Sequence, residues 1–245
     1  MSKLITTLRS RLVKGRRNDW QTYHDLVARH LRPGMRVLEI GCGRGDVAPF
    51  PWEDFPYVRL TGLDPDPRAK ENPFLDNFVC SHANEDWPIP GETADLALCR
   101  YVLEHVEKPA RFLRNVHRVL KPGCAFILLT PNIRHPLAMI SRCLPCSVKQ
   151  RLLAATKGVP KEQVFPTFYR MNSPPRLRRL AIDAGFGVQT LLTKEFTPSA
   201  YLDFSLPGFL LAWAYFEIVS RSGWESRCGA QMIGLLEKPA RCASG

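Results

Sequence analysis

A chain of 245 residues with 45% hydrophobic and 23% charged residues has the composition of a globular protein, which excludes a collagen-like or disordered chain. The net charge of +11 indicates an anionic partner such as a phosphorylated substrate, nucleic acid or a membrane surface, or else a basic protein without one. No apolar run approaches the ~18 residues that a membrane-spanning helix needs. Eight cysteines, several inside apolar runs and none behind a secretory leader, favour a reducing, cytoplasmic compartment.

The first 32 residues predict an N-terminal helical segment. Up to residue 17 this segment has six basic residues and no acidic one, and its leucines at positions 4, 8 and 12 recur at helical spacing. Three interpretations are open for this amphipathic helix: docking on the core, attachment to a membrane surface, or a mitochondrial-type presequence. A second helix is predicted over residues 19–31, which the breaker pair Pro33-Gly34 follows.

Residues 33–245 predict one domain in which strands and helices alternate. Strands are predicted at residues 36–40, 58–63, 78–81, 94–99, 124–130, 188–194 and 230–236. Helices are predicted at residues 109–120, 175–184 and 201–220, and Lys121-Pro122-Gly123 ends the first of them. Prolines interrupt residues 133–171, which predicts an insertion above the sheet. Strands joined through helices imply right-handed crossovers and a mostly parallel sheet with helices on both faces.

A glycine-rich turn follows the first predicted strand, with the sequence Glu39-Ile-Gly41-Cys42-Gly43-Arg-Gly45. Glycines at such a turn let a ligand press against the backbone. The dinucleotide fingerprint G-x-G-x-x-G would need a glycine at position 46, where an aspartate stands. Asp64 ends the second strand, and a carboxylate there accepts the ribose hydroxyls of a bound nucleoside, although alone it is also a common turn former ahead of Pro65.

Four stretches in this order resemble the class I S-adenosylmethionine-dependent methyltransferases. They are the E-x-G-x-G-x-G turn, a run at residues 81–90 similar to G-D-A-x-x-x-L-P-F-P, the run from residue 100 to residue 123 containing V-L-E-H-V and R-V-L-K-P-G, and Thr130-Pro131-Asn132. The resemblance covers residues 33–132 and is closest to the type-11 group, which includes ubiquinone and menaquinone methyltransferases. It implies an α/β, Rossmann-like doubly wound fold with a mostly parallel seven-stranded sheet and an antiparallel last strand.

The resemblance also implies S-adenosyl-L-methionine as cofactor. The cofactor-binding residues that it implies are Glu39, Gly41, Cys42, Gly43, Gly45, Asp64, Pro65, His82, Ala83 and Arg100. His82 stands where the family usually has the aspartate that binds the adenine amino group. Tyr101 stands where metal-assisted relatives have the first glutamate of E-x-x-E-H, which leaves Glu104 and His105. Because two ligands without a third make a poor metal site, we expect no metal.

The first candidates for a catalytic base are His105 and His135, and Tyr169 is the next. Each of these side chains could instead have a packing or surface role. Residues 133–171 and 201–220 are predicted to roof the cleft at the carboxyl ends of the strands. The second of these contains the apolar stretch from residue 206 to residue 216. That stretch is either a core helix or part of an acceptor pocket or membrane-contacting lid.

Three functions are compatible with these patterns. The first is methyl transfer to an oxygen or nitrogen atom of a small, apolar or amphipathic, lipid-like acceptor, with peripheral contact to anionic membranes. The second, suggested by the net charge, is nucleic-acid methylation, but the N-P-P-Y-type motif of base-flipping enzymes is missing at Thr130-Pro131-Asn132. We therefore expect nucleic acid not to be the partner. The third is a non-catalytic protein that binds the cofactor.

Overall fold

A computed structural model describes residues 3–46, 50–143, 166–199, 202–203 and 205–241. Its strands are β1 (Arg36–Ile40), β2 (Arg59–Asp64), β3 (Asn77–Cys80), β4 (Ala94–Arg100), β5 (Leu120–Pro131), β6 (Gly187–Lys194) and β7 (Gln231–Glu237). Its α-helices are α1 (Lys3–Leu12), α2 (Asp19–His30), α3 (Pro109–Val119), α4 (Pro136–Cys143), α5 (Pro174–Asp183), α6 (Leu206–Arg221) and α7 (Glu225–Cys228).

The seven strands form one sheet in the order β3-β2-β1-β4-β5-β7-β6. β1 pairs in parallel with β2 and β4, and the last strand, β7, is antiparallel to both of its neighbours. The predicted doubly wound, mostly parallel sheet with an antiparallel last strand is therefore confirmed. All strands except β7 end at the same edge of the sheet, which is where ligands bind in such folds.

Each face of the sheet is covered by helices because the strands alternate apolar side chains between the two faces. On one face, Phe112 and Val116 of α3 and Leu177 of α5 are fully buried against β4 and β5. On the other face, Tyr23 and Val27 of α2 pack against β1 and β4. Burial of such side chains is the main source of stability in a domain of this kind.

The start of β5 differs from the prediction. Lys121-Pro122-Gly123 was expected to separate a helix ending at residue 120 from a strand starting at residue 124, but the strand already begins at Leu120, which pairs with Ala94. A shift of register after this pair accommodates the Lys-Pro-Gly sequence inside the strand. Proline is tolerated at such an irregularity because no ladder hydrogen bond is lost there.

The N-terminal segment predicted for residues 1–32 is packed on the domain in its described part. Ile5 is buried, and Arg9 donates to the buried carboxylate of Asp203 at 2.8 Å. The predicted apolar stripe does not make this contact, since Leu4 and Leu12 are 55% and 36% exposed. Helix α1 therefore docks through Ile5 and Arg9, and its leucine stripe faces outward.

The two insertions predicted to form a roof begin at the carboxyl edge of the sheet. In the first, α4 follows β5, and residues 144–165 lie outside the described part of the chain. In the second, the helix begins at Leu206 and not at residue 201, because the Ser205 hydroxyl accepts the Gly208 amide and so caps the helix. Pro207 in the first turn also favours a helix start at this point.

Candidate active site

The glycine-rich turn follows the end of β1 with all three of its glycines in the left-handed region. Gly41 and Gly43 have φ values of 73° and 54°. A Cβ atom at Gly41 would lie 2.2 Å from the Val102 side chain, whereas a Cβ at Gly43 would meet nothing within 4 Å. Gly41 is therefore required by packing and conformation, while Gly43 borders open space. That open space fits a cofactor pressing against the backbone.

The side chain of Asn72 supports this turn, and the sequence did not predict that role. Its buried side-chain amide donates to the carbonyl oxygens of Cys42 and Gly43, each at 3.2 Å. A Cβ at Gly45 would lie only 2.7 Å from the Asn72 oxygen. No motif pointed to Asn72, because its role depends on two backbone carbonyls about thirty residues away.

Cys42 contributes to the site only through its backbone. Its side chain is buried, and a Cβ at Gly62 would lie 2.6 Å from its sulfur atom. Burial and the nearby Asp64 carboxylate raise the pKa of the Cys42 thiol, so it stays protonated. A buried protonated thiol is a packing group and not a nucleophile.

Asp64 lies at the end of β2, next to the glycine-rich turn. One carboxylate oxygen accepts the Gly43 amide at 3.0 Å, and the other accepts the Asp66 amide at 2.9 Å. Burial raises the pKa of Asp64, although both amide hydrogen bonds oppose that shift. Each carboxylate oxygen has a second lone pair, so these bonds orient Asp64 and leave acceptor capacity for ribose hydroxyls. Pro65 continues the chain away from the carboxylate, and its carbonyl faces the Cys80 thiol.

The turn after β3 carries His82 and Ala83 beside Asp64, because the Ser81 amide donates to the Asp64 carbonyl at 3.2 Å. The His82 ring is exposed, and its Nδ1 accepts the Asn84 amide at 3.2 Å. The proton of the neutral ring is therefore on Nε2. His82 offers a donor where the family's aspartate offers an acceptor, so it does not replace the aspartate in binding an adenine amino group.

Helix α2 closes the other side of the cofactor region. The Arg100 guanidinium lies 4.1 Å from the centre of the Trp20 ring and 3.4 Å from Nε2 of His24. Glu39 on β1 accepts a hydrogen bond from the Trp52 side chain, and burial raises its pKa to about 7 in spite of the nearby Arg100. The sequence predicted Glu39 and Arg100 but not the aromatic residues that hold them.

A network of buried polar side chains connects the turn after β4, the end of β5 and the segment before α5. Glu104 accepts the Thr130 hydroxyl at 3.0 Å, and the Asn172 amide donates to the same hydroxyl at 2.6 Å. Burial raises the pKa of Glu104 to about 7. Glu104 is already committed to this network, so its carboxyl group positions the neighbouring backbone.

That backbone brings two of the three predicted bases together. The Glu104 carbonyl accepts the amides of Phe168 and Tyr169 at 2.7 and 3.1 Å. Nδ1 of the adjacent His105 lies 2.7 Å from the Pro166 carbonyl oxygen, which can only accept. Nδ1 of His105 therefore carries the proton, and Nε2 is the basic nitrogen of the neutral ring. Tyr169 is held with a positive φ of 51°.

The third predicted base, His135, lies apart from this pair. Its side chain is 7% exposed, with Nε2 3.5 Å from the Glu195 carboxyl and the Tyr215 ring packed edge-on at 5.1 Å. Burial lowers the pKa of His135 to about 4 and raises that of Glu195 to about 8. At neutral pH both groups are therefore uncharged. This geometry favours a packing role for His135 over contact with an acceptor.

Within the described ranges, no group of three or more His, Cys, Asp or Glu side chains is arranged to hold a metal ion. A cavity of about 350 Å³ lies at the opposite, amino-terminal edge of the sheet, lined by residues such as Arg36, Arg59 and Asn77. None of the predicted site residues lines this cavity. The candidate site is therefore the polar carboxyl edge described above.

A family model described as a methyltransferase domain matches residues 12–191, which is well over half of the chain. The chain belongs to this methyltransferase family. Its cofactor is S-adenosylmethionine, and the open space at Gly43 next to Asp64 fits that cofactor. The matched residues include α2, in agreement with the contacts of that helix at Arg100.

Several curated methyltransferases are similar to part of this chain. A demethylmenaquinone methyltransferase from Symbiobacterium thermophilum is 30% identical over 45% of this chain and 49% of its own length. A fatty-acid O-methyltransferase from Mycolicibacterium smegmatis is 31% identical over 54% of this chain and 50% of its own length. Human thiol S-methyltransferases also match. The chain spans about half the length of the curated relatives that it matches first.

Solved structures with the same fold include an S-adenosylmethionine-dependent methyltransferase from Mesorhizobium loti. Its TM-score is 0.51 at 19% identity, with 86% of this chain and 95% of that chain covered. At such an identity the likeness establishes the fold alone.

Proposed function

We propose that the protein transfers a methyl group from S-adenosylmethionine to an oxygen or nitrogen atom of a small apolar or amphipathic acceptor. The observation that carries this proposal is the open space at Gly43, since it adjoins the oriented carboxylate of Asp64. When bound, S-adenosylmethionine supplies a methyl group that is already activated on a sulfonium. The residues of the protein therefore have mainly to position the acceptor and to exclude water.

His105 is the strongest candidate for removing a proton from the acceptor. A hydroxyl group or a protonated amine must lose a proton when it is methylated, and a neutral imidazole is suited to accept it. The hydrogen bond from Nδ1 of His105 to Pro166 supports this role, because it makes Nε2 the basic atom. The backbone of Tyr169 lies beside that of His105, because the Tyr169 amide donates to the Glu104 carbonyl, and Tyr169 is the second candidate for this role.

An apolar acceptor is supported by the roof and by the relatives. Trp213 and Tyr215 on α6 are only partly buried, while Phe209 and Phe216 on the same helix are in the core. One matched relative is named for a fatty-acid acceptor. Because other relatives are named as thiol S-methyltransferases, sulfur has to be included among the atoms tested.

Two measurements test this proposal. Calorimetry should show binding of S-adenosylmethionine and S-adenosylhomocysteine but not of NAD; binding of NAD alone would contradict it. Release of S-adenosylhomocysteine is then measured with fatty acids, phenols, amines, thiols and RNA as acceptors. We expect turnover with an apolar acid, phenol or amine. Turnover on RNA alone would indicate a nucleic-acid enzyme, turnover on thiols alone would correct the acceptor atom, and cofactor binding without any turnover would indicate a non-catalytic protein.

A further inference from the structure

The end of α1 and the turn that follows it lie beside α6. The Arg9 guanidinium, on α1, lies 5.9 Å from the centre of the Phe209 ring, and the Arg16 guanidinium, after the end of α1, lies 4.9 Å from the centre of the Phe216 ring. The two contacts are seven residues apart in both segments, so residues 9–16 run alongside α6 in the same direction. Residues 9–16 and α6 therefore form one surface, which we call the α1–α6 surface.

Helix α6 is apolar on both sides, although only one side is packed. Phe209 and Phe216 face the core and are about 1% exposed. On the outer side, Leu210, Leu211 and Ile218 are 54%, 66% and 61% exposed. On the adjoining end of α1, Leu12 is also 36% exposed. An exposed apolar area of this kind is typical of a surface that binds a membrane or another protein.

Basic side chains surround this apolar area. The chain up to residue 17 contains six basic residues and no acid, and Arg221 at the end of α6 is 80% exposed. These seven basic residues pair with three acids, because Arg9 pairs with Asp203, Arg17 with Asp25, and Arg16 and Arg221 with Glu217. The surface therefore carries a surplus of positive charge around an apolar centre.

An exposed tryptophan follows directly after α6. Trp224 is 62% exposed, and tryptophan is enriched at the boundary between lipid headgroups and acyl chains. Helix α6 has 16 residues, and no helix in the described ranges is long and apolar enough to cross a bilayer. These features suit a helix that lies in the plane of a membrane surface.

We propose that the α1–α6 surface attaches the protein reversibly to anionic lipid bilayers, with the leucines in the headgroup region and the basic side chains on the lipid phosphates. RNA would match the charge but not the exposed leucines. A second copy of the chain would match the leucines but would bring two positive surfaces together. Attachment goes beyond the proposed methyl transfer, since it needs neither cofactor nor acceptor.

Co-sedimentation of the full chain with vesicles tests this proposal. Phosphatidylcholine vesicles are compared with vesicles in which part of the lipid is phosphatidylserine. We expect sedimentation with the anionic vesicles only, and a decrease as salt is raised, because screening shortens the range of the attraction. A protein that stays in the supernatant with anionic vesicles at low salt overturns the proposal.

Matched variants assign the attachment to this surface. Leu210→Ser/Leu211→Ser should weaken partitioning roughly tenfold, whereas Ile182→Ser on α5, at a site that is 57% exposed, should leave it unchanged. Arg11→Glu/Lys14→Glu should weaken it at least about 25-fold, since the loss of each cation near an anionic surface changes partitioning about fivefold. The charge control is Arg176→Glu/Arg178→Glu on α5.

Each result either supports or overturns the proposal. Equal losses in the α5 control variants would show nonspecific adsorption. A leucine variant that changes the oligomeric state and leaves vesicle binding intact would assign the surface to a second copy. Salt-dependent RNA binding without vesicle binding would assign the charge to nucleic acid. Calorimetry with S-adenosylmethionine on the same variants keeps this test separate from methyl transfer, because none of the substituted residues is in the cofactor site.

Discussion

The carboxyl edge of the sheet has two halves that are built in different ways. The cofactor half, at the ends of β3, β2, β1 and β4, is organised by backbone groups: amides on Asp64 and a left-handed turn at Gly43. The acceptor half, at the ends of β5, β7 and β6, is organised by buried side-chain pairs such as Thr130 with Asn172, 42 residues apart. The glycine turn and Asp64 of the cofactor half can therefore be read from short sequence patterns, whereas the support of that turn by Asn72 and the network of the acceptor half depend on packing between distant segments.

The largest effect is expected at His105, the proposed base, which lies at the boundary of the two halves. His105→Gln should lower kcat about 100- to 10,000-fold without changing cofactor affinity, since loss of general base catalysis has that magnitude. Steady-state kinetics and calorimetry measure the two quantities. The matched control is His82→Gln on the cofactor half, which should leave kcat nearly unchanged, because the exposed His82 ring is bonded to the Asn84 amide and takes no part in proton transfer. If both variants lowered kcat equally, the two halves would not have separate roles in catalysis and cofactor binding.

Gly43→Val should weaken S-adenosylmethionine binding by about 3 kcal/mol, because the new side chain fills the open space beside the turn. Gly34→Val is a suitable control, since Gly34 also has a positive φ and nothing within 4 Å of a new Cβ, but lies away from the cofactor site. Both variants carry similar backbone strain, and only the first should lose the cofactor in calorimetry. Loss in both would mean that strain alone is responsible.

Asp64→Ala should weaken cofactor binding by about 1–3 kcal/mol, the usual cost of losing hydrogen bonds to a charged group. Asp66→Ala removes a carboxylate two residues further on, which is bonded to Arg68. That control should bind the cofactor with unchanged affinity. A folded Asp64→Ala protein with wild-type affinity would take Asp64 out of the site.

The acceptor half should show its own dependence on pH. The pKa of Glu195 is raised to about 8, so the folded protein binds a proton that the unfolded chain has released. Stability from this group is present at low pH and is lost as pH rises towards 8, while His135 is already neutral in both states above about pH 6.5. Between pH 6.5 and pH 8 the wild type should therefore lose at most about 2 kcal/mol relative to Glu195→Gln. If the difference in unfolding free energy between the two proteins stayed the same from pH 6.5 to pH 8, the interpretation of Glu195 as a buried neutral group would be wrong.

The smallest expected effect is that of chelation. Turnover should be unchanged in a metal chelator, because Tyr101 replaces the first glutamate of the metal-binding pattern and Glu104 is bonded to Thr130. Loss of turnover that magnesium or zinc restores would show that a metal takes part.

Prediction from sequence succeeded where a local pattern carries the structure. Apolar runs predicted all seven strands, and the glycine turn and Asp64 lie next to each other at the strand ends where the sequence placed them. The prediction was wrong at Leu120, because a Lys-Pro-Gly sequence usually ends an element and here lies within a strand. The sequence left the placement of α1 open, since the buried partner of Arg9 is Asp203, nearly two hundred residues away. The role of Asn72 had no sequence signal of any kind.

The pairing of Arg9 with Asp203 has a consequence for the lifetime of the protein. Asp203 is almost completely buried, so a protease that trimmed the first helix would leave an uncompensated charge beneath the start of α6. Breaking such a pair by removal of one partner costs about 3–5 kcal/mol, a large part of the stability of an ordinary domain. Proteolytic loss of the N-terminus would thus destabilise the fold itself, and the cellular abundance of the enzyme would depend on an intact first helix.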